Sequence, residues 1–292
     1  MKDALLRPDV AIPALDGFQL AASVLTPRRS HAIAVVAGAT GVKRSFYAPF
    51  AKVLAQRGFE VVTFDYRGVG GSAPKQLRGF HAKMEEWGRL DLEGALLWAD
   101  AQRAGRRLVV VGHSVGGQMV GFAPSAKRVD AAFFVGAQSG WVGHWPPAQR
   151  LVIGALWYGL IPSLSPLLGF FPSGAFGLGE DLPAGVARQW AEWGRDPNYL
   201  LAAGSDVRGL FAAPTFPLVG ASIAGDLYAP PAAVAALLGF YQGAKRRHWR
   251  IVDADAPGVG HFTFFRDAGK PLWATVADWL LDPTVPLGDP AP

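Results

Sequence analysis

One serine of the chain lies in a pattern that produces nucleophiles. Ser114 is the central residue of Gly-His-Ser-Val-Gly at 112–116. Residues 107–111, Arg-Leu-Val-Val-Val, predict a buried strand, and residues 117–122 predict the start of a helix. A serine between a strand and a helix, with glycines two positions away on both sides, matches the nucleophile elbow, a turn too tight for side chains at the flanking positions. The spacing predicts that Ser114 holds a strained backbone conformation and presents its hydroxyl at the carboxyl edge of a sheet.

A serine hydroxyl becomes a good nucleophile only when a base removes its proton and an acid orients that base. We expect the base to be His261, because it lies in a glycine-rich loop, 257–262, that follows the last predicted strand. That loop reaches the same edge of the sheet as the elbow. The other histidines lie inside the elbow, at strand starts, upstream of the nucleophile or in an aromatic insertion: His31, His81, His113, His144 and His248.

The acid is expected to be Asp226, which lies just past a predicted strand at 216–220. The chain order serine, aspartate, histidine is the one that accompanies the elbow. Three other aspartates remain alternatives: Asp253 and Asp255 on the loop that leads to His261, and Asp206. The alternative role for Asp226 itself is to cap the helix that begins near residue 229.

Attack on a carbonyl also requires two donors for the negative charge that develops on its oxygen. One is expected to be the backbone N–H of Val115. The other is expected from Gly-Ala-Thr-Gly at 38–41, a loop of small residues after the first predicted parallel strand. Ala39 and Thr40 both fit this role, so the identity of the second donor stays open.

The elements that must position these residues follow a regular order. Residues 9–25 predict an antiparallel hairpin with its turn at 16–17. Strands are predicted at 31–37, 60–65, 107–111, 131–135, 216–220 and 248–252, and helices at 45–57, 85–103, 230–242 and 271–281. Because strands and helices alternate, we expect an α/β fold, a mostly parallel twisted sheet with helices on both faces.

The alternation stops between about 138 and 214, where eleven tryptophan, tyrosine and phenylalanine side chains and many prolines occur. We expect a core domain made of residues 1–137 and 215–292, with a mainly helical cap or lid inserted at 138–214.

Within this insertion, residues 151–179 carry no charge and are numerous enough to span a bilayer. We expect no span, because Pro162, Pro166 and Pro172 should interrupt a helix. A single crossing would also place the two halves of one sheet on opposite sides of a membrane. The favoured interpretation is an apolar lid packed on its own sheet, and membrane or lipid contact through the lid is the less favoured alternative.

Composition narrows the function further. The chain has 292 residues, 50% hydrophobic and 17% charged, with no cysteine, which excludes disulfides, thiolate metal sites and a cysteine nucleophile. The net charge is +5, but the basic residues form small groups at predicted element ends, which is typical of a solvated surface and not of nucleic-acid binding. The N-terminal residues lack the apolar core of a signal peptide, so we expect a cytoplasmic protein. The oligomeric state stays open.

Three segments carry a resemblance to a known family. They are Gly-His-Ser-Val-Gly at 112–116, Phe-Asp-Tyr-Arg-Gly-Val-Gly-Gly-Ser at 64–72 and Gly-His-Phe at 260–262. In their order along the chain, 64–72, 112–116 and 260–262, they resemble the motifs of the α/β-hydrolases, and the resemblance extends over residues 30–137 and 215–282. The insertion stands where that family has its variable cap.

The resemblance implies that Ser114 is the nucleophile, His261 the base and Asp226 the acid. A serine at the nucleophile position argues against the family's dehalogenases, which use an aspartate. The Ala-Gly-Ala-Thr-Gly loop at 37–41 resembles a predicted-hydrolase subgroup and departs from the commoner form, which has His-Gly before the oxyanion donor.

We therefore expect a serine hydrolase that cleaves carboxylic esters of apolar, small to medium substrates through an acyl-enzyme. No metal or organic cofactor is implied. A thioesterase, a peptidase or an acyltransferase would use the same triad, and some proteins of this fold only bind ligands, so these alternatives stay open.

Overall fold

One eight-stranded sheet organises the protein. A computed structural model describes residues 4–287. The strands, in chain order, are β1 (Ala4–Pro13), β2 (Gln19–Pro27), β3 (Ala32–Ala37), β4 (Phe59–Phe64), β5 (Arg107–His113), β6 (Ala131–Val135), β7 (Phe170–Phe171), β8 (Leu182–Pro183), β9 (Pro217–Ile223) and β10 (Lys245–Ile251). The large sheet has the order β1-β2-β4-β3-β5-β6-β9-β10, and β7 pairs only with β8. The pairs β1–β2 and β2–β4 are antiparallel and all others in the large sheet are parallel. The predicted fold class, including the hairpin, is confirmed.

Helices cover both faces of the sheet. They are α1 (Ala48–Gln56), α2 (84–102), α3 (Val115–Met119), α4 (Pro147–Leu168), α5 (Ala184–Arg195), α6 (Val207–Ala212), α7 (Pro231–Phe240) and α8 (Lys270–Leu281). Successive residues of β5 enter different cores: Val110 packs with α2 and α7, whereas Val109 packs with α1 and α8. A strand buried on both faces has no polar side, which is why β5 reads as an unbroken apolar run.

The edge strand β10 differs from its prediction. It begins at Lys245 rather than at His248, because its pairing with β9 runs back to Lys245 opposite Pro217. Its first residues are basic and exposed, and charged side chains on an edge strand protect it from pairing with other chains. Apolar patterning therefore detected only the buried half of this strand.

The insertion lies between β6 and β9 and is mostly helical, with the short β7–β8 pair as its only strands among the described residues. Most of its aromatic side chains form its own core and its contact with the sheet domain. Trp145, Trp157, Phe171, Trp193 and Tyr199 are buried. Trp193 stacks on Phe122, which follows the elbow helix, with ring centroids 5.5 Å apart.

The prediction that prolines interrupt the apolar segment is wrong for two of them. α4 is a continuous helix of 22 residues that contains both Pro162 and Pro166, and Pro172 lies beyond its end. Residues Ala155–Leu160 of α4 are π-helical. Such a widened turn shifts the backbone hydrogen bonds and accommodates a following proline, which has no N–H to donate.

By length and composition α4 could cross a membrane, yet only 17% of its apolar window is buried. Its inward side chains, such as Trp157 and Ile161, are buried against the rest of the insertion. Its outward side chains are exposed, Leu151 by 77% and Leu167 by 71%. α4 therefore has one buried face and one exposed apolar face.

Candidate active site

Ser114 lies in a strained turn between β5 and α3. Its φ is +50° and its ψ is −117°, a conformation that residues with a side chain rarely adopt. Its backbone N–H donates to the carbonyl of Val135 at the end of β6, with an N···O distance of 2.9 Å. The turn therefore holds Ser114 at the carboxyl edge of the parallel strands, where the residue is buried, with 9% of its surface exposed.

The glycines of the elbow are required by close backbone approach. A Cβ at Gly116 would overlap the carbonyl of Ala37, and a Cβ at Gly112 would lie 2.6 Å from the Cα of Gly117. The elbow therefore packs directly against the end of β3, where the loop 38–41 begins. This packing brings the loop beside Ser114.

Asp226 and His261 form a buried pair. Asp226 Oδ2 lies 2.8 Å from His261 Nδ1, and the two side chains are 0% and 5% exposed. The other carboxylate oxygen, Oδ1, accepts the backbone N–H groups of Tyr228 and Ala229, at 2.8 and 3.1 Å. The carboxylate is thus held by its own loop while it orients the histidine. Helix α7 begins later, at Pro231, so Asp226 stabilises the preceding loop and does not cap the helix.

Gly136, which the sequence analysis missed, connects this pair to the serine. It follows β6, has a φ of +56°, and a Cβ built there would lie 2.7 Å from His261 Nδ1 and 3.5 Å from Asp226 Oδ2. Its neighbour Val135 accepts the N–H of Ser114. The end of β6 therefore contacts both the turn at Ser114 and the ring of His261. The sequence feature that could have identified Gly136 is a glycine placed directly after a predicted strand, at the edge of the sheet that also carries Ser114.

The alternative acids have other partners. Asp253 Oδ1 accepts the N–H of Gly258, and Asp255 Oδ2 accepts the N–H of Val252, both at 2.9 Å. Asp206 forms an ion pair with Arg89 at 2.8 Å. These three carboxylates stabilise turns or a surface contact, and among the candidates only Asp226 is bonded to His261.

Three of the remaining histidines have structural partners, and the other two, His31 and His81, are exposed. His113 is buried, with its Nδ1 2.9 Å from Tyr47 Oη, and burial together with the nearby His261 holds its pKa well below the usual range. His248 bonds Ser222 Oγ at 2.8 Å, and the ring of His144 packs edge-on against Trp141. Among residues 4–287 no group of three or more side chains is placed to hold a metal ion.

The loop 38–41 distinguishes its two candidate donors. The N–H of Ala39 donates to Tyr47 Oη at 2.7 Å in a buried position. Burial raises the pKa of Tyr47, so its hydroxyl stays neutral and can donate a hydrogen bond to His113 Nδ1. The amide of Ala39 therefore already has a partner within the protein. Thr40 Oγ1 is itself buried and has no hydrogen-bond partner among the described residues.

A cavity of about 440 Å³ opens where the insertion meets the core. Its core side includes Val42 and Phe46, which follow the loop 38–41, and Phe262, which follows His261 in the chain. Gly177 and Gly179 lie on its insertion side, and Ser114 does not line it. Three charged side chains also line it: Lys43, Glu180 and Arg266. Lys43 and Glu180 pair at 2.9 Å across the boundary, so a salt bridge joins the two walls.

The fold is shared with solved structures of low sequence identity. The esterase Pf2001 of Pyrococcus furiosus is 15% identical with a TM-score of 0.60, covering 94% of this chain and 92% of its own. An esterase from Exiguobacterium antarcticum is 16% identical with a TM-score of 0.59, covering 93% and 99%. Brefeldin A esterase, described as a bacterial homologue of human hormone-sensitive lipase, is 19% identical with a TM-score of 0.63, covering 96% and 77%. No curated protein matches the chain.

The sequence also matches a family model. The match covers residues 33–275, which include the elbow, Asp226 and His261, and the family is described as the alpha/beta hydrolase family. Fold, motif order and family match agree over most of the chain, and the protein belongs to the alpha/beta hydrolase family.

Proposed function

We propose that this protein is a serine hydrolase that cleaves carboxylic esters through an acyl-enzyme. The observation that carries the proposal is the buried Asp226–His261 pair, which lies against the same strand end that holds the strained Ser114. A histidine oriented by a carboxylate next to an elbow serine is the arrangement that activates a hydroxyl.

In this mechanism the two nitrogens of His261 have separate tasks. Nδ1 carries the proton that is shared with Asp226, which leaves Nε2 to accept the proton of Ser114 as the hydroxyl oxygen attacks the ester carbonyl. The protonated His261 then donates this proton to the oxygen of the leaving alcohol. Water attacks the acyl-enzyme in the second half of the reaction, with His261 again as the base, and releases the acid.

The charge on the carbonyl oxygen would be stabilised by the backbone N–H groups of Val115 and Thr40. Thr40 is favoured over Ala39 because the amide of Ala39 already donates to Tyr47. Each such donor contributes about 3 kcal/mol to the transition state in well-studied cases. The buried hydroxyl of Thr40 lies on the same residue, where a substrate oxygen could satisfy it.

The choice of an ester over other acyl groups is supported by the structural relatives. Three proteins that share the fold are described as esterases, although at 15–19% identity they argue for the fold and not for a substrate. We further propose that residues 138–214 act as a cap. Part of the cavity between core and cap is apolar, namely the wall formed by Val42, Phe46 and Phe262, and we assign this wall to an acyl chain of small to medium length.

Covalent labelling tests the nucleophile. The native protein should react with a fluorophosphonate and hydrolyse p-nitrophenyl esters. Ser114→Ala should lose the label and about 10⁴-fold or more of kcat. Ser45→Ala, which changes a serine that lines the cavity, should keep both. Labelling that persists in Ser114→Ala would contradict the assignment, and a native protein that neither labels nor turns over any acyl substrate would favour a ligand-binding role.

A series of esters with acyl chains of increasing length tests whether the apolar wall of the cavity binds the acyl chain. If the acyl chain is buried there, kcat/KM for p-nitrophenyl esters should rise about three- to fourfold per methylene over a short range and then fall, because each buried methylene contributes about 0.8 kcal/mol. A flat series from acetate to hexanoate would contradict the cavity as the acyl site. Thioesters and amides measured beside the esters distinguish the thioesterase and peptidase alternatives.

A further inference from the structure

The outward face of α4 forms an apolar surface without charge. Its exposed side chains include Leu151, Val152, Tyr158 and Leu167, which are 77%, 70%, 60% and 71% exposed. Exposed positions occur on every turn of the helix, at 151, 152, 155, 158–160, 163, 166 and 167, whereas the buried positions 157, 161 and 165 follow one another at intervals of four residues. Residues 151–168 contain no charged side chain.

This surface is unlike the rest of the described protein. Eleven large apolar side chains of residues 4–287 are exposed, and five of them lie on α4. Single exposed leucines are ordinary on soluble proteins, whereas a continuous apolar face marks a surface that is covered in use.

Arginines surround this face without acidic partners. Arg150 lies at the start of the face, Arg195 stacks over the ring of Tyr158 at 5.6 Å, and Arg78 contacts Gly169 at the C-terminal end of α4. Arg150 and Arg195 donate to backbone carbonyls. None of the three forms an ion pair with a carboxylate of residues 4–287, although seven arginines elsewhere do.

α4 lies along the protein and does not project from it. Just before the helix, Trp145 Nε1 donates to the carbonyl of Leu227 at 2.9 Å. In the middle of the helix, Trp157 Nε1 donates to the carbonyl of Gly140 at 3.2 Å. Just after it, β7 pairs with β8. Because both ends are attached to one folded body, the helix can lie on a membrane surface but cannot cross the bilayer without leaving its site.

We propose that α4 docks this protein on the surface of a lipid bilayer that carries anionic headgroups. The apolar face would lie at the boundary of headgroups and acyl chains, and the three arginines would contact lipid phosphates, as in other interfacial amphipathic helices. A second copy of the chain is a poorer partner, because a two-fold contact would bring together two faces whose rims both carry arginines. The docking does not depend on the proposed hydrolase activity.

Vesicle flotation tests the docking. The native protein should float with phosphatidylcholine vesicles that contain phosphatidylglycerol, much less with pure phosphatidylcholine vesicles, and less as the salt concentration rises. The double variant Leu151→Glu, Val152→Glu should bind about tenfold more weakly or worse, because it places two charges on the apolar face. Arg150→Gln should bind more weakly than the native protein but float more than the double variant.

The matched control is Leu15→Glu, a change at a 56% exposed leucine in the turn between β1 and β2, which should float like the native protein. An unchanged melting temperature shows that each variant is folded, whatever the enzymatic result. Absence of native flotation, equal binding to neutral vesicles, or equal flotation of the double variant would overturn the proposal. A dimer in sedimentation equilibrium that the double variant dissociates would assign the face to a second copy instead.

Discussion

Two glycine-containing regions of this protein are constrained in different ways. At the carboxyl edge of the sheet a Cβ on Gly136 would lie 2.7 Å from His261, and one on Gly116 would overlap Ala37. Gly154 and Gly159 of α4 have no atom within 4 Å of the position a Cβ would take. Neighbouring atoms of the protein fix the residue types in the first region. In the second region no atom of residues 4–287 lies close enough to Gly154 or Gly159 to exclude a side chain.

The same difference holds for polar groups. Both carboxylate oxygens of Asp226 are bonded and its side chain is fully buried. The arginines around α4 have no acidic partner among the described residues. Close packing fixes geometry to within tenths of an ångström, which catalysis requires, whereas a docking face needs only the correct polarity. Substitutions in the two regions should therefore affect different measurements.

The largest effect is expected at Asp226. In Asp226→Asn the amide oxygen can still accept the backbone N–H groups of Tyr228 and Ala229, so the fold should be retained. The amide no longer favours a proton on His261 Nδ1, so kcat should fall about 10⁴-fold. Asp253→Asn, which removes a charge from the loop before His261, should be mild. Ester hydrolysis by the two variants is the measurement. A severe Asp253→Asn with a mild Asp226→Asn would show that the acid is misassigned.

The next effect concerns the inward and outward faces of α4. Trp157 is buried against Trp190, with ring centroids 4.7 Å apart, whereas its neighbour Tyr158 is 60% exposed. Trp157→Ala should lower the free energy of unfolding by about 3–5 kcal/mol through the cavity that it leaves. Tyr158→Ala should change it by about 0.5 kcal/mol or less. Urea denaturation measures both, and equal losses would mean that α4 has no distinct inward face.

A smaller effect is expected from a single methyl group at Gly136. Gly136→Ala places Cβ against His261 Nδ1 at a positive φ, and a displacement of about 1 Å at a catalytic group can cost about 10²-fold in kcat. Its control is Gly154→Ala on α4, where alanine should stabilise the helix by about 0.5–1 kcal/mol and leave hydrolysis of soluble esters unchanged. An active Gly136→Ala enzyme would contradict the tight fit around His261.

The smallest effect concerns pH. The pKa of buried His113 is held well below its unfolded value of about 6.5, so below that pH the unfolded chain binds a proton that the folded protein does not. The stability that neutral His113 contributes is complete above pH 6.5 and is lost as the pH falls. Relative to His113→Gln, native stability should fall by about 1 kcal/mol between about pH 7.5 and pH 5.5.

The matched variant for this measurement is His144→Gln in the insertion. Burial lowers the pKa of His144 as well, but that side chain is only half-buried. Its variant should therefore give a smaller change over the same pH range. A His113→Gln protein whose stability runs parallel to the native protein would show that His113 becomes charged in the fold.

Much of the fold follows from local pattern. The apolar strands, the hairpin and the ends of the helices were predicted because burial on two faces, turn residues and helical spacing are properties of neighbouring residues. The elbow was recognisable for the same reason, since Ser114 and its glycines lie within five residues. The motif order also predicted which histidine and which aspartate to examine.

Only the tertiary structure showed which of several aspartates is bonded to His261, and which face of α4 is buried. Asp226 and His261 are 35 positions apart, and the chain alone did not exclude Asp253 or Asp255. The proposed preference for Thr40 over Ala39 depends on Tyr47, and the constraint on Gly136 depends on the His261 ring that lies against it. A charge-free segment such as residues 151–168 has the same sequence whether its apolar side chains are buried or exposed. Contacts between distant segments determine which of these holds, and sequence periodicity does not record them.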